Sequence, residues 1–357
     1  MNTKNIEKVM LKKVLKKLPG WIGTGLITFL NGIWLFWGLG EAFYEGWGVP
    51  ETPWFLFLSI GAAAMIFSIL AIRFPYVGGG ILMIAGAAFA VWWLIPGIQN
   101  GFYTLAVVLE RLLLSGGFTL VGLLFILDAK FNPLNKGQEE HWILRNLRLI
   151  ITIGIPLLVV IIVASVNLPI VLTRVDDGIR TARLIVGNGV DLIWAPQGPG
   201  WNWKQDFGGY PSWDSIAFYG LQPIGFDVGK RDDQHATEED MRRTGLCAFL
   251  DEEGSILLGE PQYIWHMPTV EEITHTLSRH NQNAGCVWQG HIGRLDCQLR
   301  PDKETPLWAP DDPPVYYWAA NDSDEKNAYY VSYTGFVSDQ PKDWGNPRHG
   351  YRCVKEP

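Results

Sequence analysis

Cysteine is absent from the first 246 residues of the chain, and the four cysteines, Cys247, Cys286, Cys297 and Cys353, all lie in the last third of its 357 residues. Disulfide bonds persist in oxidising compartments and are rare in the cytosol. An even number of cysteines confined to one end of a long chain therefore predicts that this end leaves the cytoplasm and is closed by disulfide bonds.

Charge is nearly absent from the five longest apolar runs, which lie near 21–40, 54–72, 77–98, 106–127 and 149–172. Since about 20 helical residues cross a hydrocarbon core of about 30 Å, each run is predicted to span a membrane. A transporter or proton pump would need ionisable groups deep in the bilayer. Glu110 and Arg111 are the exception, but they lie near the outer end of the fourth run, where their side chains can reach the headgroups.

Glycine is frequent in the third and fourth runs, where small residues let membrane helices approach one another closely. We expect helix packing, within a bundle or with other subunits, at Gly78, Gly79, Gly80, Gly86, Gly116 and Gly117. The apolar half is therefore predicted to be an anchor rather than a pathway for ions.

Catalytic and metal-binding motifs are also missing, since the chain has no Cys-x-x-Cys and no His-Glu-x-x-His. His275 and His280 are five residues apart on a predicted helix, hence about 140° apart around its axis, and cannot share a metal as an i, i+4 pair would. Asp322, Asp324 and Glu325 could bind calcium through carboxylate oxygens, although a solvated acidic loop is the simpler interpretation. We expect neither an enzyme nor a resident cofactor.

The two halves of the chain differ in charge. Up to about residue 173 there are twelve Lys and Arg against eight Asp and Glu, and the remainder has seventeen against twenty-eight. The second half therefore carries a formal charge of −11. Such a charge repels phosphate backbones, which excludes nucleic acid as an expected partner.

The positive charges also predict the topology, because cytoplasmic loops are rich in Lys and Arg. Six lysines precede the first run, the 41–53 loop has three glutamates and no Lys or Arg, and the 128–148 loop again holds four basic residues. This alternation predicts a cytoplasmic N-terminus in the cytoplasmic (inner) membrane. Five crossings then deliver the C-terminal half to the periplasmic or extracellular side, in agreement with its cysteines.

Four segments follow from this topology. Residues 1–20 are basic and have apolar residues at helical spacing; they are either an amphipathic helix on the inner leaflet or a basic tail that sets the topology. Residues 21–173 are the transmembrane domain and residues 174–189 a linker. Residues 190–357 are the extracytoplasmic domain.

All nine of the tryptophans that follow residue 173 lie in this domain, among short apolar runs and turn residues that indicate a globular α+β fold. The stretch 188–194 predicts a turn and a strand. Thr237 with Asp240 and Thr269 with Glu272 predict two capped helices, reaching about Leu250 and about His280. Later runs predict strands at 314–319, 328–333 and 351–354.

Several segments of the C-terminal half resemble the motifs of a known protein family. Trp265-His266-Met267-Pro268-Thr269-Val270-Glu271-Glu272 is similar to the Trp-Arg-Leu-Pro-Thr-x-x-Glu-Leu segment of the Lcl C-terminal domain family, named for a collagen-like bacterial surface adhesin. Tyr317-Trp318-Ala319-Ala320 resembles its Tyr-Trp-Ser-Ser, and 328–331, Gly335 and Arg352-Cys353-Val354 resemble its closing strands. Trp203 and Trp213 both stand where the family has an early tryptophan.

The resemblance covers about 190–357 and implies a C-type-lectin-like or formylglycine-generating-enzyme-like fold, in which many members bind ligands at bacterial surfaces. Departures are His266 for Arg, Ala319 and Ala320 for the serines, and an insertion-like segment around 282–312. Oxidising enzymes of related fold use a cysteine pair near the end of the domain, whereas Cys353 stands alone there.

Three disulfide pairings of four cysteines are open to the sequence. The resemblance favours Cys247–Cys353, which would join the first helix to the last strand, and Cys286–Cys297 then closes a short loop. The residues of the family motif are expected to be structural: Trp265 fills the core, and Arg352 forms an ion pair. The motif residues in this group are Trp265, Pro268, Thr269, Glu272, Trp318 and Arg352.

Ligand-binding candidates come from aromatic rings beside amides or carboxylates, because rings stack on apolar faces while the polar groups bond to hydroxyls. They are Trp288 with Gln289 and Trp308 with Asp311. We therefore expect a membrane-anchored recognition protein that binds a glycan, a peptide or an envelope component. The alternative is a non-catalytic structural or accessory subunit of a larger membrane or cell-surface assembly.

Overall fold

The structure is a computed structural model that describes residues 3–45, 54–99, 104–132, 142–205, 209–226 and 234–357. It divides into two compact units. The helical unit comprises residues 1–43 and 54–168, and the C-terminal unit comprises residues 44–53 and 169–357. Each unit is considered separately below.

Five long helices account for the predicted spans. Each contains a stretch that is long and apolar enough to cross a membrane, so the prediction of five apolar helices is confirmed. They are α1 (Thr3–Glu45), α2 (Trp54–Arg73), α3 (Pro75–Gln99), α4 (Leu105–Phe131) and α5 (Trp142–Leu172).

The first helix is longer than the predicted first span. Its backbone is helical from Thr3 and continues without a break past Pro19 to Glu45. The 1–20 segment is therefore not a separate helix, because it is continuous with the first span from Thr3 onward. The side chains of residues 1–14, on which the prediction of an amphipathic helix depends, lie outside the described part of the structure.

Glycines bring α3 and α4 together at their middle. A Cβ atom at Gly79 would lie 2.8 Å from the carbonyl oxygen of Gly122, and one at Gly86 would lie 2.7 Å from the amide nitrogen of Thr119. Gly78 makes an equally close approach to α2. The packing role predicted for the glycines is confirmed for Gly78, Gly79 and Gly86, and Gly117 lies close to Leu30 of α1. A Cβ at Gly80 would meet no atom within 4 Å, and one at Gly116 would meet only Leu112 of its own helix.

Polar side chains inside the bundle bond to one another. Asn31 is fully buried and its side-chain amide donates to Ser68 Oγ over 3.1 Å. Thr28 Oγ1 lies 3.4 Å from Thr152 Oγ1 and donates to the carbonyl of Thr24 at 2.7 Å. Such bonds satisfy polar groups that would be costly in hydrocarbon, so they fix helix contacts.

The C-terminal unit contains three sheets. The largest has the strand order β3-β10-β7-β8-β9-β6, the second has the order β1-β2-β11, and β4 pairs with β5. The strands are β1 (Arg183–Val186), β2 (Asp191–Trp194), β3 (Trp201–Asn202), β4 (Ser278–Arg279), β5 (Gln282–Asn283), β6 (Gly293–Arg294), β7 (Tyr316–Asp322), β8 (Asn327–Ser332), β9 (Phe336–Pro341), β10 (His349–Arg352) and β11 (Val354–Lys355).

Three short α-helices of this unit begin with a capping box, in which the N-cap hydroxyl and the third helical residue bond reciprocally. Two were predicted, at Thr237 with Asp240 and at Thr269 with Glu272, and both are confirmed. The third, at Ser212 with Ser215, was not predicted. The helices are α6 (Trp213–Ala217), α7 (Glu238–Arg243) and α8 (Val270–Thr276).

Both predicted helices end earlier than expected. After α7 the chain turns at Gly245, where a Cβ would clash with the carbonyl oxygen of Met241, and a 3-10 helix follows at Leu246–Phe249. Helix α8 ends at Thr276 because a tight hairpin follows, with His280 and Asn281 at positive φ between β4 and β5.

The predicted linker 174–189 is part of the C-terminal unit rather than a tether. It contains β1, which pairs with β2. Arg174 lies at its start and forms a bidentate ion pair with Asp302 at 2.9 and 3.1 Å. The segment is fixed because this guanidinium and its carboxylate partner are both nearly buried.

Two disulfide bonds join Cys247 to Cys353 and Cys286 to Cys297. This is the pairing that the resemblance favoured. Cys247 lies in the 3-10 helix rather than in α7, and Cys353 lies between β10 and β11. The longer bond therefore ties the centre of the unit to its last strands.

The core of the unit is rich in aromatic rings. Trp194, Trp201, Trp213, Trp265, Trp308 and Trp318 are among its largest fully buried side chains. Trp265 is 2 % exposed, which confirms its predicted place in the core. Its indole nitrogen donates to the carbonyl of Asp251 at 2.8 Å, so its polar atom is satisfied.

Arg352 is buried but is not in the predicted ion pair. Its guanidinium donates to the backbone carbonyls of Ala195, Pro306 and Leu307 over 2.8–3.0 Å. It also lies 3.7 Å from the ring centroid of Trp201. Carbonyl dipoles and an aromatic face thus stabilise the charge where a carboxylate was expected.

His349 is held neutral inside an aromatic cluster. Its ring stacks on Trp318 with centroids 4.5 Å apart, and Tyr316 and Tyr330 lie at 4.9 and 5.1 Å. Burial and, to a lesser extent, the charge of the neighbouring Arg348 lower the pKa of His349 to about 3. The imidazole is therefore neutral at pH 7, and neither of its ring nitrogens has a hydrogen-bond partner among the described residues.

The first testable prediction concerns the contact between α3 and α4. Gly86→Leu should lower the thermal stability of the purified chain in detergent, because its side chain would displace α4 at Thr119. Gly80→Leu, in the same helix, should leave the melting temperature near that of the parent chain. Equal losses in the two variants would show that α3 and α4 do not pack through Gly86.

The second prediction concerns pH. The folded-state pKa of His349 lies below its unfolded value of 6.5, so the unfolded chain binds the extra proton between these values. The contribution of neutral His349 to the free energy of unfolding is therefore complete above pH 6.5. It falls as the pH is lowered toward 3, by up to about 1.4 kcal/mol per pH unit.

Urea unfolding of the C-terminal unit in the full chain, followed by pulse proteolysis at several pH values, measures this slope. His349→Phe should reduce the loss of stability between pH 6.5 and pH 4. His291→Asn, which changes an exposed histidine, should keep it. An unchanged slope in His349→Phe would contradict the assignment.

Candidate functional site

The four predicted ligand-binding residues have different environments. Trp308 is fully buried and stacks on Tyr317 with ring centroids 3.7 Å apart. Its ring cannot stack on a ligand at the surface, so its prediction as a ligand-binding residue is wrong. Asp311 is exposed but is left without the aromatic partner that made it a candidate.

Trp288 and Gln289 lie in a loop that we call the cystine loop, residues 286–297, which the Cys286–Cys297 bond closes. Within it, the amide of Val287 donates to the carbonyl of Asp296 at 2.8 Å. Strand β6 lies inside the loop and pairs with β9, the neighbouring strand of the large sheet. The loop is thus anchored by its disulfide bond, by the hydrogen bond from Val287 to Asp296 and by the pairing of β6 with β9.

Trp288 is half-buried and has a fixed orientation. Its ring meets Tyr329 of β8 edge to face, with centroids 5.6 Å apart and planes at 71°. Its indole nitrogen donates to the carbonyl of His291 at 3.0 Å. The remaining ring surface is held in place by these two contacts, so binding there would cost little conformational entropy.

The side chains around Trp288 combine apolar surface with polar groups. Gln289 is exposed, and Val287 and Ile292 are 45 % and 46 % exposed. Two exposed charges of opposite sign, Arg294 and Asp296, lie on the same loop. An aromatic face beside an amide and charged groups is suited to a ligand that has both an apolar face and hydroxyl or amide groups.

The segments that carried the sequence resemblance lie beside one another. The amide of Ala320, at the end of the Tyr-Trp-Ala-Ala segment, donates to the carbonyl of Pro268 at 2.7 Å. His266 exchanges two backbone hydrogen bonds with Val354, at 2.8 and 2.9 Å. Trp318 is fully buried and donates to the carbonyl of Pro211 at 3.4 Å. Of these residues, Pro268, Trp318 and Val354 are buried in the interior of the unit.

A buried charged segment escaped the sequence analysis. Asp302, Lys303 and Glu304 are at most 3 % exposed. Arg279 bridges the two carboxylates, at 2.6 Å from Asp302 and 2.9 Å from Glu304. The only sequence signal was a run of alternating charges inside an aromatic region, which ordinarily indicates a solvated turn.

Lys303 differs from its neighbours because its ammonium donates to a backbone carbonyl, that of Asp312. Burial and, to a lesser extent, the nearby charge of Arg174 lower the pKa of Lys303 to about 7. Since the side chain is fully buried, it holds the segment in place and offers no surface for a ligand.

Two of the three acidic residues considered for calcium bond to protein groups, and the third, Glu325, is exposed. Asp322 accepts from Lys342 Nζ at 2.9 Å. Asp324 accepts from the side-chain amide and the backbone amide of Asn327, which closes the β7–β8 turn. Among the described residues, no group of three or more His, Cys, Asp or Glu side chains is placed to hold a metal ion.

Comparison of the chain with protein-family models, with curated proteins and with solved structures finds no match.

Proposed function

We propose that this chain is a multi-pass membrane protein that presents a recognition domain outside the cytoplasm. The cystine loop carries the proposal, because it holds the half-buried ring of Trp288 next to the exposed amide of Gln289 on a covalently closed support. The ligand class that suits this surface is a glycan, whose apolar ring face stacks on an indole while its hydroxyls bond to amides. Peptides and other envelope components offer similar groups.

Two independent observations support the location. The lysines in the first part of α1 and the four basic residues at 128–148, around the connection from α4 to α5, favour a cytoplasmic N-terminus by the positive-inside rule. Two disulfide bonds and no free cysteine in the C-terminal unit fit an oxidising compartment. An odd number of spans is consistent with both observations, because it places the two ends of the chain on opposite sides of the membrane.

The resemblance to the Lcl C-terminal domain family adds a proposed fold relationship, a C-type-lectin-like domain. It is supported by the contacts among the three segments that carry the resemblance, at Pro268, His266 and Val354, and by the disulfide from Cys247 to Cys353. In this relationship the cystine loop is an addition to the common domain, so its ligand would be particular to this chain.

A role in a larger assembly has one specific observation in its favour. Strand β1 is the outer strand of the β1-β2-β11 sheet, and its Leu184 and Val186 are 52 % and 64 % exposed. An exposed apolar edge strand can pair with a strand of another chain. A structural or accessory subunit would use this edge and would need no small ligand.

The third prediction concerns orientation. Alkaline phosphatase fused after Pro357 should be active in intact cells, because it would lie outside the cytoplasm, while green fluorescent protein at the same position should remain dark. The same pair of reporters fused after Phe131, on the predicted cytoplasmic side, should give the opposite result. An active cytoplasmic reporter at Pro357 would reverse the topology.

The fourth prediction concerns the ligand surface. On arrays of glycans and cell-wall fragments, Trp288→Ala should weaken binding at least ~10-fold, as truncation of a central aromatic anchor does. Gln289→Ala should weaken it less. Trp344→Ala removes an aromatic side chain that is 49 % exposed outside the cystine loop and serves as the matched control.

Equal binding by the Trp288→Ala and Trp344→Ala variants would exclude the cystine loop as the ligand surface. An absence of array signals together with stoichiometric copurification of other membrane subunits would favour the role in an assembly.

A further inference from the structure

A cavity of about 190 Å³ lies between α2, α3 and α4 of the helical unit. Every residue that lines it has an apolar side chain or none, and the cavity is open on one side. The lining residues are Ile60, Ala63, Ala64, Phe67, Leu82, Ala85, Gly86, Phe89 and Phe118.

Small residues create the space. Gly86 brings α3 against α4, since a Cβ there would lie 2.7 Å from the amide nitrogen of Thr119. The residues that α2 and α3 direct toward the gap include Ala63, Ala64 and Ala85, whose single-carbon side chains leave it unfilled. Three phenylalanine rings, with Ile60 and Leu82, form the remaining walls, so the space has a defined shape.

The cavity lies near the middle of the spans. Ala63 and Ala64 are the central residues of α2 (Trp54–Arg73), and Phe118 is the central residue of α4 (Leu105–Phe131). Since the hydrocarbon core of a bilayer is about 30 Å thick, residues at the centre of a span lie about 15 Å from either headgroup region. Only the ends of lipid chains reach that depth.

The chemistry of the lining selects the occupant. A water molecule in a cavity needs two to four polar partners, and an apolar cavity of roughly 150 Å³ stays dry and takes up apolar molecules. At this depth the apolar material in excess is the hydrocarbon of the lipids themselves. An empty space would also forfeit dispersion contacts with the three rings.

We propose that the cavity between α2, α3 and α4 is a binding site for the terminal part of a membrane-lipid acyl chain. The chain enters from the open side and packs against Phe67, Phe89 and Phe118. The ring of Phe89 also lies 5.3 Å, centroid to centroid, from that of Trp34 of α1, so an occupied cavity supports the aromatic contact between α3 and α1.

Photocrosslinking in lipid nanodiscs tests this proposal on the full chain. One phosphatidylcholine probe carries a diazirine at the end of an acyl chain, and a second carries it next to the glycerol. Peptide mapping should place crosslinks from the first probe on the lining residues of α2 and α3, in excess over the lipid-facing residues Ile66 and Ile84, and should place none from the second probe there.

Ala63→Phe fills the cavity and should reduce these crosslinks several-fold. Ala62→Phe adds the same ring at the adjacent, exposed position of α2 and should leave them unchanged. Even if Ala63→Phe fails to fold, the map of the parent chain decides the matter.

Three results would overturn the proposal. The first is an even distribution of terminal crosslinks over the lipid-facing surface, and the second is labelling of the cavity by the glycerol-proximal probe. The third is a different apolar molecule, such as an isoprenoid, that remains bound to the purified chain in native mass spectrometry and prevents the crosslinks.

Discussion

Three consecutive residues, Arg352, Cys353 and Val354, hold the C-terminal unit closed. Arg352 bonds to the carbonyls of three residues from two separate segments, Cys353 is joined to Cys247, and Val354 pairs with His266. A buried guanidinium is tolerated only where its charge is stabilised. The carbonyls accept from Nε and Nη1 and the Trp201 ring lies against the guanidinium, while Nη2 has no hydrogen-bond partner among the described residues, so Arg352 depends on the disulfide and the strand pairing to keep it among these groups.

This closure gives the two disulfides different roles. Cys247–Cys353 joins residues 106 positions apart and strongly reduces the conformational entropy of the unfolded chain. Cys286–Cys297 joins residues 11 positions apart and chiefly fixes the shape of a loop. A rigid interior with a separately closed loop at the sheet edge is a common arrangement for recognition, because the loop can vary without disturbing the core. The half-buried Trp288 lies where this loop meets the sheet.

Sequence patterns predicted the features that local physics determines. The five apolar helices, the capping boxes at Thr237 and Thr269, and the burial of Trp265 follow from hydropathy and hydrogen-bonding groups close in sequence. The burial of Trp308 could not be predicted, because a tryptophan next to charged residues suits a surface as well as a core. The partners of Arg352 could not be predicted either, because backbone carbonyls have no signature in the sequence.

The proposed location requires that the closure forms in an oxidising compartment. The most direct measurement is to alkylate free thiols in acid-quenched cells before lysis and to map the cysteine-containing peptides by mass spectrometry. The predicted result is that Cys247 and Cys353 are recovered together as one disulfide-linked peptide pair, without alkylation. Recovery of most of the protein with both of these cysteines alkylated would contradict an extracytoplasmic C-terminal unit.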